Sequence, residues 1–301
     1  MNMKNIKILA AAAVTLMTLA ACSSDGDNTS STEGRLPILL SANADAQITR
    51  AGTDLQNTQF KKGKNIDVQI TSRDNLTGYD LLTYFTSDNA GTLQPSRGVF
   101  PYYPVNQSHV DIRAVYPTGY MNASQFSVQT ISQTSSDAYM NSDLMFAKVE
   151  DVAPSSEVVQ LTFEHKMTKI VVSLTGEGGV NLTGSTVKLL GVKTATAFNP
   201  QTGEVTTAGA TGSASDITMT NDGAEPSAAI IVPQVKPSGY LLEIVLANND
   251  VLHYKTVQDI IFDTGKVYTF NVKVIESNIS VSTTVSEWDT TPEDVEERLK
   301  L

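Results

Sequence analysis

The chain has 301 residues, with 21 basic and 32 acidic side chains and a formal charge of −11 at pH 7. That balance argues against nucleic acid as a partner and against electrostatic attachment to anionic lipid. The single cysteine, Cys22, has no second cysteine for a disulfide and no nearby histidine for a zinc site.

Lys4 and Lys7 give a short positive start, followed by a mostly apolar run from Ile8 to Ala20. The run has the length of a signal-peptide core and is too short to span a bilayer. Ala20 and Ala21 are small, as a signal peptidase requires, and Leu19-Ala20-Ala21-Cys22 resembles a bacterial lipobox. The resemblance implies a signal peptide over residues 1–21, cleavage before Cys22 and lipid on Cys22; no second apolar run reaches spanning length, so the lipid is expected to be the only membrane anchor. The competing reading is an ordinary secretory signal with a cysteine nearby by chance. Residues 22–35 are polar, small and slightly acidic, and cannot bury enough apolar surface to fold, so they read as a tether.

The next segment, Leu36-Pro-Ile-Leu-Leu-Ser-Ala42, is apolar and suits a first strand, with Pro37 at an edge or a strand start. Gln47-Ile-Thr-Arg50-Ala-Gly52 follows in a small, polar context. The Asp54–Lys64 and Tyr79–Thr83 stretches are expected to carry a turn of helix. Period-two alternation predicts strands at His109–Tyr116, Val158–Phe163, Lys169–Leu174, Ser185–Leu190, Ala228–Val232, Leu241–Ala247 and Val267–Val274. In the first of these, Val110, Ile112 and Ala114 share a face. Turn signals stand at Gly176–Gly179, Asn199–Gly203, Asn221–Gly223 and Asn248–Asp250.

Many short strands separated by turns predict an all-β chain built as β-sandwiches. The expected division is an N-terminal sandwich over 36–154 and a C-terminal one over 155–288, split near Ala153-Pro154-Ser155-Ser156. The strand at Val158 fits either side. The last expected strand, Asn278–Trp288, puts Ile279, Val281 and Val285 on one face. Residues 289–301 form an acidic tail, where Thr291 and Pro292 mark a helix start and Val295 and Leu299 are spaced i,i+4.

Catalytic signatures are missing from the sequence. His109, His165 and His253 are far apart, without metal-ligand spacing, and read as strand or loop histidines. No GxSxG elbow occurs. A glycosidase carboxylate pair forms in space, and 32 acidic residues supply such pairs by chance. The expectation is a protein that is not an enzyme and carries no cofactor or metal. Phe100-Pro-Tyr-Tyr103 is an aromatic cluster with two readings, a surface that stacks on sugar and ordinary core and loop packing.

Four features together resemble a family. They are the lipobox at Cys22, His109-Val-Asp-Ile-Arg-Ala-Val-Tyr-Pro117, Asp143-Leu-Met-Phe-Ala147, and Leu161-Thr-Phe-Glu-His-Lys-Met-Thr-Lys-Ile170. Their order and spacing are similar to those of the fimbrillin-like proteins of Bacteroidetes, although Thr168 stands where a small residue is common. The acidic tether is also similar to surface-export signals of Bacteroidetes lipoproteins.

The resemblance implies two tandem transthyretin-like β-sandwiches and a role in type V fimbriae, as a structural or adhesive subunit. It implies travel to the outer membrane and cell surface as a lipoprotein, and other fimbrial subunits as partners. In that family an arginine-specific protease removes the N-terminal strand, and a neighbour's strand fills the groove. Carried onto this chain, the processing site is Arg50, and the removable strand holds Leu36, Ile38 and Leu40. Arg35 is the rival site, where cutting would release the protein but keep the strand. Both arginines could also be plain surface charges. The candidate donor strand is the one with Ile279, Val281 and Val285, which reads equally as the last strand of its own domain. The acidic tail after it departs from a long free donor, which argues against a shaft role and leaves minor, tip or anchor-like roles open. The alternative is a surface lipoprotein that does not polymerise and binds a host glycan or protein.

Overall fold

β-branched residues recur in period-two alternation along the chain, and the regular structure of the described residues is almost all strand. A computed structural model describes residues 35–44, 60, 62–128, 132–220, 226–275 and 278–288. The strands of the first half are β1 (Leu40–Ala44), β2 (Asn65–Ser72), β3 (Leu82–Thr86), β4 (Leu93–Pro95), β5 (Val110–Tyr116), β6 (Gln125–Ser127), β7 (Met145–Val152) and β8 (Val159–His165). One short helix, α1 (Ser136–Met140), lies between β6 and β7. The second half contains β9 (Thr168–Glu177), β10 (Thr186–Ala197), β11 (Ala210–Thr218), β12 (Ser227–Ile231), β13 (Gln234–Lys236), β14 (Gly239–Val245), β15 (Val251–Thr256), β16 (Ile260–Phe262), β17 (Lys266–Ile275) and β18 (Asn278–Glu287).

Seven strands of the first half form one sheet in the order β1-β8-β7-β5-β2-β3-β4. Its two ends meet at β1, which runs parallel to β8 on one side. On the other side the Ala42 N–H donates to the Gly91 carbonyl at 2.8 Å, and Ser41 bridges Thr92 just before β4. The closed sheet wraps a core that includes Ile66, Val68, Ile70, Leu161 and Phe163. Val110, Ile112 and Ala114 of β5 all point into it, as their alternation predicts. The strand that follows Ala153–Ser156, β8, therefore pairs within this first sheet.

The second half is built on a sandwich of two sheets, with β13 and β16 paired as a separate two-stranded sheet. One layer of the sandwich runs β11-β10-β14-β15, and the other β12-β9-β17-β18. Val187, Leu189 and Ile244 from the first face Val172, Phe270 and Val272 from the second across a shared core. The Asn248–Asp250 signal is the β14–β15 hairpin turn, with Asn249 at φ +67° and the Leu246 N–H donating to Asp250. A third core, which includes Val115, Tyr139, Phe146, Met167, Phe198, Ile230 and Trp288, joins the halves. There β6 pairs with β10.

One local expectation fails. Tyr79–Leu81 are irregular, and Leu82 and Thr83 begin β3, because pairing with β2 offers Tyr84 full burial. In the other predicted helical turn, residues 62–64 form a turn and irregular backbone, and the rest lies outside the described residues apart from Phe60. The one α-helix among the described residues, α1, has five residues, too few to show a period. Its signal is Ser135, whose hydroxyl caps the Ala138 N–H at 3.2 Å.

Candidate strand-acceptor groove

The first described residues thread between two partners. Pro37 has no N–H to give, and the bonds beside it carry the pairing. The Ile38 N–H donates to the Pro101 carbonyl at 2.8 Å, and the Tyr103 N–H donates to the Leu36 carbonyl at 3.0 Å. The Val159 N–H then donates to the Leu39 carbonyl at 2.8 Å, and Leu40 to Ala44 lie in register with Val159 to Phe163.

Side chains alternate as a seated strand requires. Ile38, Leu40 and Ala42 are at most 2% exposed, whereas Leu36 is half-buried. Burying Ile38 and Leu40 contributes about 3–6 kcal/mol together. Gly91 allows the close approach on the far side. It sits at φ +84°, and a Cβ there would lie 2.0 Å from the Ala42 carbonyl oxygen. If β1 left, it would vacate a slot lined by apolar side chains, with unpaired backbone groups on both walls.

The aromatic cluster at 100–103 forms part of this wall. Pro101 and Tyr103 bond the first segment through their backbones, and the Tyr79 hydroxyl donates to the Tyr102 carbonyl at 2.8 Å. The Tyr103 ring is buried in the core, and burial pushes its phenol pKa above the ordinary value. Packing accounts for Tyr103, whereas Phe100 and Tyr102 are half-buried.

Arg35 is half-buried. Its guanidinium donates to the Tyr103 carbonyl at 3.3 Å and lies 5.5 Å from the centre of the Tyr102 ring. Cys22, Arg50 and the tail from 289 onward lie outside the described residues.

The candidate donor, β18, pairs with β17 along its whole length, from Lys266–Glu287 to Ile275–Asn278. It ends its sheet's strand order, and Ile279, Val281 and Val285 are half-buried against the second core. The acceptor and donor candidates are thus in different sheets.

The histidines do not gather. His109 meets Asp151 at 2.9 Å at the surface, and His253 meets Glu243 at 3.3 Å on β15. His165 is buried at the end of β8, where Nδ1 lies 3.0 and 2.9 Å from the two oxygens of fully buried Asp143. Among the described residues no group of histidine, cysteine or acidic side chains could hold a metal ion. Sequence reasoning missed Gly91 and the parallel partner β8. The only available signal for Gly91 was its place in the turn before β4.

The class the fold defines is all-β, with a sheet closed by β1, the first of the described strands, followed by a β-sandwich. A fimbrillin-like family model matches residues 49–288, and the chain belongs to that family. Two solved structures with the same fold are candidate cell adhesion proteins. The one from Bacteroides uniformis is 23% identical, with a TM-score of 0.68 over 86% of this chain and 99% of its own. The one from Bacteroides ovatus is 19% identical, with a TM-score of 0.68 over 86% of this chain and 100% of its own. A third, from Bacteroides fragilis, aligns at a TM-score of 0.52 with 13% identity over 85% of this chain and 99% of its own. No curated protein matches in sequence. Family membership supports a fimbrial or adhesive role at the cell surface, with other fimbrial subunits as partners, rather than an enzymatic one.

Proposed function

We propose that this chain is a subunit of cell-surface fimbriae, exported as an outer-membrane lipoprotein through Cys22 and assembled by strand exchange. Cleavage after Arg50 removes the lipid, the tether and β1 together. The vacated slot then takes a strand from another subunit, which restores the ladder and refills the pockets of Ile38, Leu40 and Ala42. On this reading the two halves are tandem transthyretin-like sandwiches, and β18 is the candidate donor.

The observation that carries the proposal is the double-sided seating of β1 between β8 and the Gly91–Thr92 edge. A strand held only at an edge would leave no slot. Two further facts support it. The family match begins at residue 49, after β1 and one residue before Arg50. Arg35, the rival site, is held against Tyr102 and Tyr103, whereas proteolysis favours loosely held backbone.

The test is the N-terminus of the protein recovered from the surface of its native host, read by mass spectrometry. The expected N-terminus is Ala51. A chain starting at Leu36 would mean that the strand is kept, and would overturn strand exchange. A chain starting at acylated Cys22 would also overturn it, leaving an anchor or a lipoprotein that binds a glycan or another host ligand.

A further inference from the structure

β8 touches both ends of the proposed assembly cycle. Among the described residues, Val159 to Phe163 have β1 as their strand partner, and β7 takes over only at Glu164 and His165. Leu161 and Phe163 are fully buried in the same core as Ile38, Leu40 and Ala42. Most of the ladder that holds β8 is therefore supplied by β1.

The far end of β8 holds the C-terminal strand. The His165 ring stacks on Trp288 with centroids 4.1 Å apart and planes 6° from parallel. Asp143, at the other side of His165, fixes the ring from Nδ1. A backbone chain runs beside the stack. The Trp288 N–H donates to the Gly265 carbonyl at 2.7 Å, and the Gly265 N–H donates to the Met167 carbonyl at 3.0 Å, two residues past β8. Trp288 is 4% exposed, directly after a strand whose inward residues are only half-buried. It is the best-buried residue of that segment.

We infer that Trp288 is a latch on the C-terminal strand and that β1, acting through β8, keeps it shut. Loss of β1 removes the ladder partner of Val159–Phe163, so the strand that carries His165 loosens, and the platform under Trp288 must then rest on the β7 pairing and the Asp143 contact without the support of the rest of β8. The C-terminal strand loosens once the N-terminal groove opens. This rests on the strand-exchange reading and extends it. A subunit that still holds its own first strand keeps its donor docked, so acceptor and donor become competent together. Linkage requires the converse: weakening the Trp288 stack must weaken β1.

Hydrogen exchange on the unlipidated full chain tests the coupling. Leu40→Ala loosens β1, and Val68→Ala removes similar apolar volume from β2 in the same core. Leu40→Ala is expected to speed exchange of the 278–287 amides about tenfold more than Val68→Ala does. Emission from Trp288, the only tryptophan in the chain, should shift to the red in the same variant. Equal effects of the two variants, or faster β1 exchange with β18 unchanged, would overturn the latch. If Leu40→Ala does not fold, His165→Gln gives the converse measurement, with faster exchange expected at both 278–287 and Leu40–Ala44. Faster exchange at 278–287 alone would again overturn the coupling. These measurements use recombinant chain, so a host protein that keeps its first strand would sink strand exchange while leaving the coupling to be decided here.

Discussion

β1 and β18 are both terminal strands, but they are held in different ways. β1 has five residues and two partners, and its inward side chains are almost wholly buried. β18 has ten residues and, among the described residues, one strand partner, and its inward side chains are half-buried. Removing a strand from a closed sheet leaves a slot with two hydrogen-bonding walls. Removing a strand from an edge leaves only another edge. Length does not set how much a strand matters; the number of its partners and the depth of its pockets do. On that comparison β1 suits the role of a strand that must be replaced once lost, and β18 that of a strand that can leave.

The sharpest way to break the contrast is Leu40→Asp, which places a charge in the β1 slot. It should cost about 4 kcal/mol or more, measured by denaturant unfolding. A small loss would mean that β1 is not seated as described. Gly91→Ala should cost about 2–4 kcal/mol, because it combines a left-handed backbone with a collision against Ala42. Gly98→Ala, also at positive φ but with open space around its Cβ position, should cost only about 1 kcal/mol. The difference between the two glycines isolates the approach of β1.

Lys169 of β9 sharpens the comparison at the junction of the halves. Burial lowers its pKa to about 8, and the Asp143 charge opposes that shift only in part. The folded state thus holds the proton less well than the unfolded chain, whose lysines titrate near about 10.4. The cost is full below pH 8, and stability rises as pH climbs from about 8 to about 10.4. Lys169 is half-buried by surface area, so Lys169→Met should gain about 1–2 kcal/mol at pH 7. That gain should close near pH 10.5, read from thermal unfolding across the range. The smallest effect belongs to the edge strand, where Ile279→Ala should cost about 1 kcal/mol or less.

The sequence carried most of the strands, because alternation and turn residues are local. His109–Tyr116 and Lys169–Leu174 announced β5 and β9, and Asn248–Asp250 announced a hairpin. β10 runs to Ala197, past the predicted Leu190, because register shifts keep it paired with β11 after alternation fades. Leu36, Ile38 and Leu40 marked a first strand, although Leu36 and Ile38 lie before β1 proper, in the stretch that pairs with residues 101–103.

Composition and pattern determined an all-β chain, a family resemblance and the identity of the two terminal strands. Only the tertiary structure decided which neighbours those strands take. Val159 pairs with Leu40, Gly91 admits Ala42, and Trp288 stacks on His165, each across a long stretch of chain. Alternation fixes which side of a strand faces inward. It says nothing about which backbone lies alongside, and that choice depends on how the whole sheet closes around its core.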